Sequence, residues 1–172
     1  MNRLWSPWRM EYIHRAGRER GCLFCRVARR ARDREDLVLA RSPHGLLMLN
    51  RFPYNPGHLM VAARRHVGDF GSLTEPERLD LVSLTALAES ALLAEYRPHG
   101  FNIGANLGRV AGAGFPGHLH LHVVPRWNGD VNFMPTIGET RVLPESLSRT
   151  WSRLRRAIAG RRPARRRRAA GK

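Results

Sequence analysis

Polar and apolar side chains alternate without a break in His118-Leu119-His120-Leu121-His122-Val123. A strand turns successive side chains to opposite faces. The period of two therefore predicts a strand over 118–125, with Leu119, Leu121 and Val123 in a core and His118, His120 and His122 aligned on the other face. Apolar runs at 36–39 and 45–50, joined by a turn at Ser42-Pro43, predict two more strands. Asn55-Pro56-Gly57 predicts a turn before a strand at 58–63, and 101–107 reads as another. Elsewhere the period is helical. Thr74-x-x-Glu77 is a capping-box signature with Pro76 in the first turn, and Leu81, Leu84, Leu87, Ala88, Ala91 and Leu92 recur at three- and four-residue steps. They predict a long helix with one core-packing face, ended by Arg97-Pro98-His99-Gly100. Residues 144–159 predict a C-terminal helix with Leu147, Trp151, Leu154 and Ile158 on one side, and 22–34 a turn and short basic helix. Hairpin, strand, helix, hairpin, helix is an α+β order with an antiparallel sheet of about five strands. Residues 1–20 read as an irregular arm whose Trp5, Trp8 and Tyr12 pack on the body or on a partner subunit.

Composition narrows the class. With 172 residues and 42% hydrophobic content, the chain fits one domain with a sizeable core. No apolar run approaches a membrane span, and Met1-Asn2-Arg3-Leu4-Trp5 is not the start of a signal peptide, so no membrane association and a cytoplasmic location are expected. The formal charge is +16. Part of it lies in an Arg-rich tail at 161–172, which has no acids and predicts disorder and non-specific polyanion contact; the competing explanation is an Arg-rich composition with no selected partner. The remaining basic body suits a nucleotide substrate.

Two clusters carry candidate chemistry. Gly112-Ala113-Gly114-Phe115-Pro116-Gly117 brings a side-chain-poor backbone up to the histidine strand, which reads as a site for a phosphorylated ligand. A neutral imidazole attacks without first losing a proton, and His120, central in the row, is the expected nucleophile, its other ring nitrogen protonated and held. The bland alternative is a solvent-facing row or a fortuitous metal site. Cys22-x-x-Cys25 has the spacing of half a tetrahedral zinc site, which His66 and His118 could complete. The alternative is a pair of reduced cysteines packed in a turn; a thioredoxin-like role is disfavoured because no βαβ unit surrounds them. Arg126 is a phosphate contact or a structural arginine. No organic cofactor is implied.

The run His118 to Val124 matches the His-φ-His-φ-His-φ-φ signature, φ being apolar, and so resembles the histidine triad (HIT) superfamily. The flanks resemble its Fhit-like branch, in particular bacterial diadenosine tetraphosphate phosphorylases or hydrolases. The resembling segments are Leu4-Trp5-Ser6-Pro7-Trp8-Arg9-Met10-Glu11-Tyr12, Cys22-Leu23-Phe24-Cys25, Asn50-Arg51-Phe52-Pro53-Tyr54-Asn55-Pro56-Gly57-His58, the stretch 101–108, and Gly129-Asp130-Val131-Asn132-Phe133 after the triad. The resemblance implies a HIT-like fold over 21–160 and a homodimer whose sheets join across the two-fold. It assigns nucleophilic attack to His120, and a phosphate contact and proton donation to the leaving group to His122. It makes Asn106 a phosphate-contacting amide, and sets Asn50 and His58 on the nucleoside-side strand pair, against the plainer readings of a turn cap and an exposed strand residue. With Gly112, Gly114 and Arg126 these are the substrate-binding candidates. In some relatives the positions of Cys22, Cys25, His66 and His118 hold a structural zinc.

Three functions follow. The first is cleavage of dinucleoside polyphosphates through a nucleotidyl-histidine resolved by phosphate or water. The second is hydrolysis of nucleoside phosphoramidates or other adenylyl adducts; the aromatic arm and the Pro125-Arg126-Trp127 ending lean away from it. The third, a basic zinc module for nucleic acid, leaves the histidine alternation unexplained.

Overall fold

A computed structural model describes residues 21–130 and 145–160. The expected arm at 1–20, the tail at 161–172 and the stretch 131–144 lie outside the described residues. The described elements are α1 (Leu23–Arg29), β1 (Val38–Arg41), β2 (Gly45–Leu49), β3 (Leu59–Ala63), α2 (Glu75–Tyr96), β4 (Gly100–Ala105), β5 (His120–Arg126) and α3 (Leu147–Ala159). The strands form one sheet in the order β1-β2-β3-β5-β4, every pair antiparallel. This is the α+β architecture the pattern predicts.

The two faces of the sheet are unequal. Leu47, Leu49, Leu59, Val61, Leu119 and Val123 join Leu81, Leu84, Ala88, Leu92, Leu154 and Ile158 in the main core under α2 and α3. The alternate residues Leu46, Met48, Met60 and Ala62 face the other way and meet Phe24 and Val27 of α1 in a smaller cluster. β2 and β3 are buried on both faces, which is why their sequences are apolar throughout rather than alternating. β5 keeps the alternation because only one of its faces belongs to the main core; the other continues the α1 side of the sheet.

α2 begins where its signature predicts. Thr74 Oγ1 accepts from Glu77 N, and the Glu77 carboxylate accepts from Thr74 N at 2.8 Å. Arg65, just after β3, adds two 2.8 Å bonds to the same carboxylate. α3 starts at Ser146, whose hydroxyl accepts from Arg149 N. Its Trp151 Nε1 donates to Val38 O at 2.9 Å, and Arg155 donates to Leu39 O. Those bonds occupy carbonyls of edge strand β1. The opposite edge, β4, leaves Asn102, Ile103 and Gly104 exposed. Several arginines of the basic body are structural. Arg41 donates to Val27 O and Arg30 O at the C-terminal end of α1 and to Asp33 at 2.8 Å.

Several boundaries differ from the pattern: β1 ends at Arg41 rather than 39, β4 runs Gly100–Ala105 rather than 101–107, and α3 starts at Leu147 rather than 144. Two starts have a visible backbone cause. The first strand starts at Val38 rather than Asp36, because Leu37 adopts a left-handed backbone (φ 59°) and Val38 N is bonded back to Asp33 O at 2.7 Å. The β5 ladder starts at His120, because Leu119 N donates instead to Val67 O at 2.6 Å. The side-chain alternation nevertheless runs through His118.

Candidate active site and metal centre

His118, His120 and His122 share one face of β5 and its lead-in, and three different environments give them different chemistry. His118 is buried, and its Nε2 lies 2.7 Å from Ala63 O. A carbonyl only accepts, so Nε2 carries the proton and Nδ1 keeps its lone pair. That Nδ1 lies 3.2 Å from Cys22 Sγ, 3.6 Å from Cys25 Sγ and 3.2 Å from His66 Nδ1. Cys25 Sγ lies 3.3 Å from His66 Nδ1. The four ligand atoms all fall within 4.8 Å of one another.

These distances fit one tetrahedral ion. Bonds of about 2.3 Å to sulfur and 2.0–2.1 Å to nitrogen imply S···N edges of about 3.5 Å and an N···N edge of about 3.3 Å. Local structure explains the convergence. Cys22 caps α1 and Cys25 lies in its first turn, one above the other. His66 follows β3 and His118 precedes β5. The Ala63 carbonyl behind His118 is the kind of outer partner that fixes a ligating imidazole. Burial, then the neighbouring Cys22, push the Cys25 thiol above its ordinary value, so the protein alone resists the double thiolate that a cation favours. The expected four ligands are thus brought together.

His120 is buried beneath the Phe24 ring, centroids 4.7 Å apart. Its Nδ1 donates to His118 O at 2.8 Å, which leaves the lone pair on Nε2. Burial lowers its pKa and so favours the neutral ring.

His122 has the opposite arrangement. Tyr54 N–H donates to His58 Nδ1 at 3.0 Å, so neutral His58 carries its proton on Nε2. That nitrogen lies 3.0 Å from His122 Nδ1, which accepts and leaves the His122 proton on Nε2. Adjacent histidines on one face therefore offer a lone pair and a proton from the same ring position. His58 is fully buried behind His122 rather than exposed on the strand. Tyr54 stacks on it at 4.7 Å, and Asn50 Nδ2 is 3.4 Å from its Nδ1. Asn50 also fills the plainer role of a turn cap, its Oδ1 accepting from Phe52 N at 2.9 Å.

The remaining candidates divide between two cavities. Asn106 and Arg126 line one of about 610 Å³ with His122, Asn102 and Gly104. Gly112 and Gly114 line one of about 380 Å³ with Cys22, His66 and His118. Arg126 is tied to Asp130 at 2.6 and 2.9 Å and to Asn102 at 2.6 Å. Sequence reading missed Phe24 over His120, the Tyr54 amide behind His58, and Gly104 beside His122. The candidates Asn50 and His58 at the two ends of the turn are the sequence signal that it bears on the site.

The fold and the row of histidines define a class: an α+β protein with alternating imidazoles on one strand beside the sheet's second edge. A HIT domain model matches residues 31–129, and the chain belongs to that family. It is 42% identical over 158 residues to a Mycobacterium tuberculosis AP-4-A phosphorylase, covering 87% of this chain and 80% of that one. Among solved structures it is similar to a Zn-bound histidine triad family protein from Mycobacterium smegmatis, with a TM-score of 0.64, 24% identity, and 81% and 94% of the two chains covered. A hypothetical histidine triad nucleotide-binding protein from Sulfolobus tokodaii also superimposes with a TM-score of 0.64 at 23% identity, over 81% of this chain and 93% of that one. Among the described residues no helix is long and apolar enough to cross a membrane.

Proposed function

We propose that this chain cleaves dinucleoside polyphosphates of the diadenosine tetraphosphate kind by transferring a nucleotidyl group to His120. The observation that carries the reading is the pair of contacts, His120 Nδ1 to His118 O and His122 Nδ1 to His58 Nε2, from which opposed tautomers of the two rings follow. His120 Nε2 attacks the α-phosphorus; an N–P bond forms as the P–O bond to the departing polyphosphate breaks. His122 Nε2–H gives its proton to the leaving oxygen. Inorganic phosphate or water then attacks the phosphoramidate and releases His120. Asn106, with Arg126 held by Asp130, lines the space in front of His122 for the phosphate chain. The 42% identity to an AP-4-A phosphorylase favours phosphate as the second nucleophile.

The cluster of Cys22, Cys25, His66 and His118 is assigned to zinc, which supplies a rigid cross-link next to the nucleophile's strand. The β4 edge, open among the described residues and with Ile103 46% exposed, is assigned to a second copy of the chain. Product analysis of diadenosine tetraphosphate turnover with and without phosphate tests the reaction. ADP plus ATP identifies phosphorolysis, and AMP plus ATP hydrolysis. His120→Ala should lower turnover by about three orders of magnitude or more, with the nucleotide still bound. Near-normal turnover in that variant removes His120 as nucleophile. Exclusive activity on phosphoramidates transfers the site to the second substrate class.

A further inference from the structure

The tautomer of His122 follows from that of His58, whose Nδ1 faces the backbone amide of Tyr54, at 3.0 Å in the turn between β2 and β3, and Asn50 Nδ2 at 3.4 Å. Residues 50–58 of that turn lie outside the sheet ladder, and Gly57 within it has φ +79°. What fixes the amide is a side-chain clamp from the far end of β5. Asn55 Nδ2 donates to Asp130 Oδ2 and to Pro125 O, each at 3.0 Å. Asp130 is itself held by Arg126 through both oxygens, at 2.6 and 2.9 Å, and accepts from Trp127 N. The Arg126 guanidinium keeps the Asp130 carboxyl down at about 2, so the clamp is ionised throughout the neutral range. The turn closes with His58 N donating to Asn55 O at 3.1 Å.

We infer that Asn55 and Asp130 are positioning residues that hold the Tyr54 amide on His58 Nδ1 and thereby keep the His122 proton on Nε2. The inference rests on the reading of His122 as proton donor to the leaving group. The chain of dependence is Asp130 to Asn55, Asn55 to the neighbouring Tyr54 amide, Tyr54 to His58, and His58 to His122. Neither Asn55 nor Asp130 reaches a reacting atom in it. Their effect falls on which nitrogen of buried His58 and half-buried His122 carries a proton.

The test reads that proton directly. Imidazole ¹⁵N spectra distinguish a protonated ring nitrogen from one bearing a lone pair, and are recorded at about pH 8, above the ordinary histidine range. They are taken on the wild-type protein, on Asn55→Ala and on Asp130→Asn, with kcat and KM for diadenosine tetraphosphate measured alongside. The wild type should show His58 and His122 each as the single Nε2–H tautomer. Either variant should show mixed tautomers at both rings, with kcat down about tenfold or more. Two variants at opposite ends of the clamp keep the test alive if one fails to fold, and a backbone amide spectrum identifies which are folded. Unchanged tautomers in a folded variant overturn the inference, whatever happens to kcat. A wild-type His122 carrying its proton on Nδ1 overturns the donor reading itself and the clamp's function with it. Mixed tautomers with full kcat support the clamp and overturn the donor role of His122.

Discussion

Gly104 stands opposite His122 across the β4–β5 pair, so the two positions share a face of the sheet. A Cβ built at Gly104 meets nothing within 4 Å. The absent side chain is therefore space in front of the histidine, and the cavity of about 610 Å³ includes it. Gly104→Val should leave the fold of the protomer intact, since the new Cβ meets no atom of it within 4 Å. It should raise KM for the dinucleotide several-fold. Calorimetry and initial-rate kinetics check both halves, and an unchanged KM would place the substrate elsewhere. The residue scale also marks how far sequence reading reaches. The three histidines were legible because alternation is a local signal and β5 keeps one polar face. The pairing of His58 with His122 was not, because it joins residues 64 apart and depends on proton position rather than residue type. Arg126 reads in the sequence as either a ligand contact or a structural arginine; its two bonds to Asp130 supply the structural partner, and Arg126 itself lines the cavity.

At the scale of elements, α2 was read almost to the residue because its start is written chemically, in Thr74, Pro76 and Glu77, as well as in its apolar stripe. The first strand was misplaced by two residues because Val38, Leu39 and Ala40 are all buried and give no alternation to phase against. What the capping signature did not reveal is that Arg65 also grips Glu77, tying the segment that carries His66 to the first turn of α2. The Arg65 guanidinium, followed by the Thr74 amide, holds the Glu77 carboxyl at about 2 against an ordinary 4.5. A carboxyl lowered by folding adds stability that is complete above its unfolded value and disappears as pH falls through the folded one. Stability should therefore decline between about pH 5 and pH 2. Glu77→Gln should be less stable than wild type at pH 7 and show a shallower acid limb. Asp130, also held at about 2, titrates in both proteins and leaves a residual slope. Urea midpoints measured across that range give the comparison. Parallel acid limbs in the two proteins would mean that Glu77 is not held by its partners in solution.

On the scale of the whole molecule, the sheet is strongly supported on one face and weakly on the other. The long α2 and α3 cover the main core, whereas the seven-residue α1 holds the second cluster with Phe24 and Val27 as its buried side chains. So short a helix is not stable on its own in water. Yet Phe24 is the residue laid across His118 and His120, at 5.0 and 4.7 Å. The four-residue ligand cluster answers this imbalance, because it joins both ends of the weak side: α1 through Cys22 and Cys25, and the approaches to α2 and β5 through His66 and His118. Metal analysis of protein purified without chelator should find about one zinc per chain. A site saturated to about 100 times its Kd adds about 2.7 kcal/mol, roughly 5–10 °C in melting temperature for a domain of this size. Removing the metal should lower the melting temperature by that order. The loss should be uneven. Hydrogen exchange should show the amides of 24–29 losing protection while those of α2 keep theirs, and turnover should fall as Phe24 leaves His120. Cys22→Ser with Cys25→Ser should reproduce the metal-free behaviour without chelator. A chelated protein that keeps both its melting temperature and the protection of α1 would identify the two cysteines as packed thiols, and α1 as held by its apolar contacts alone.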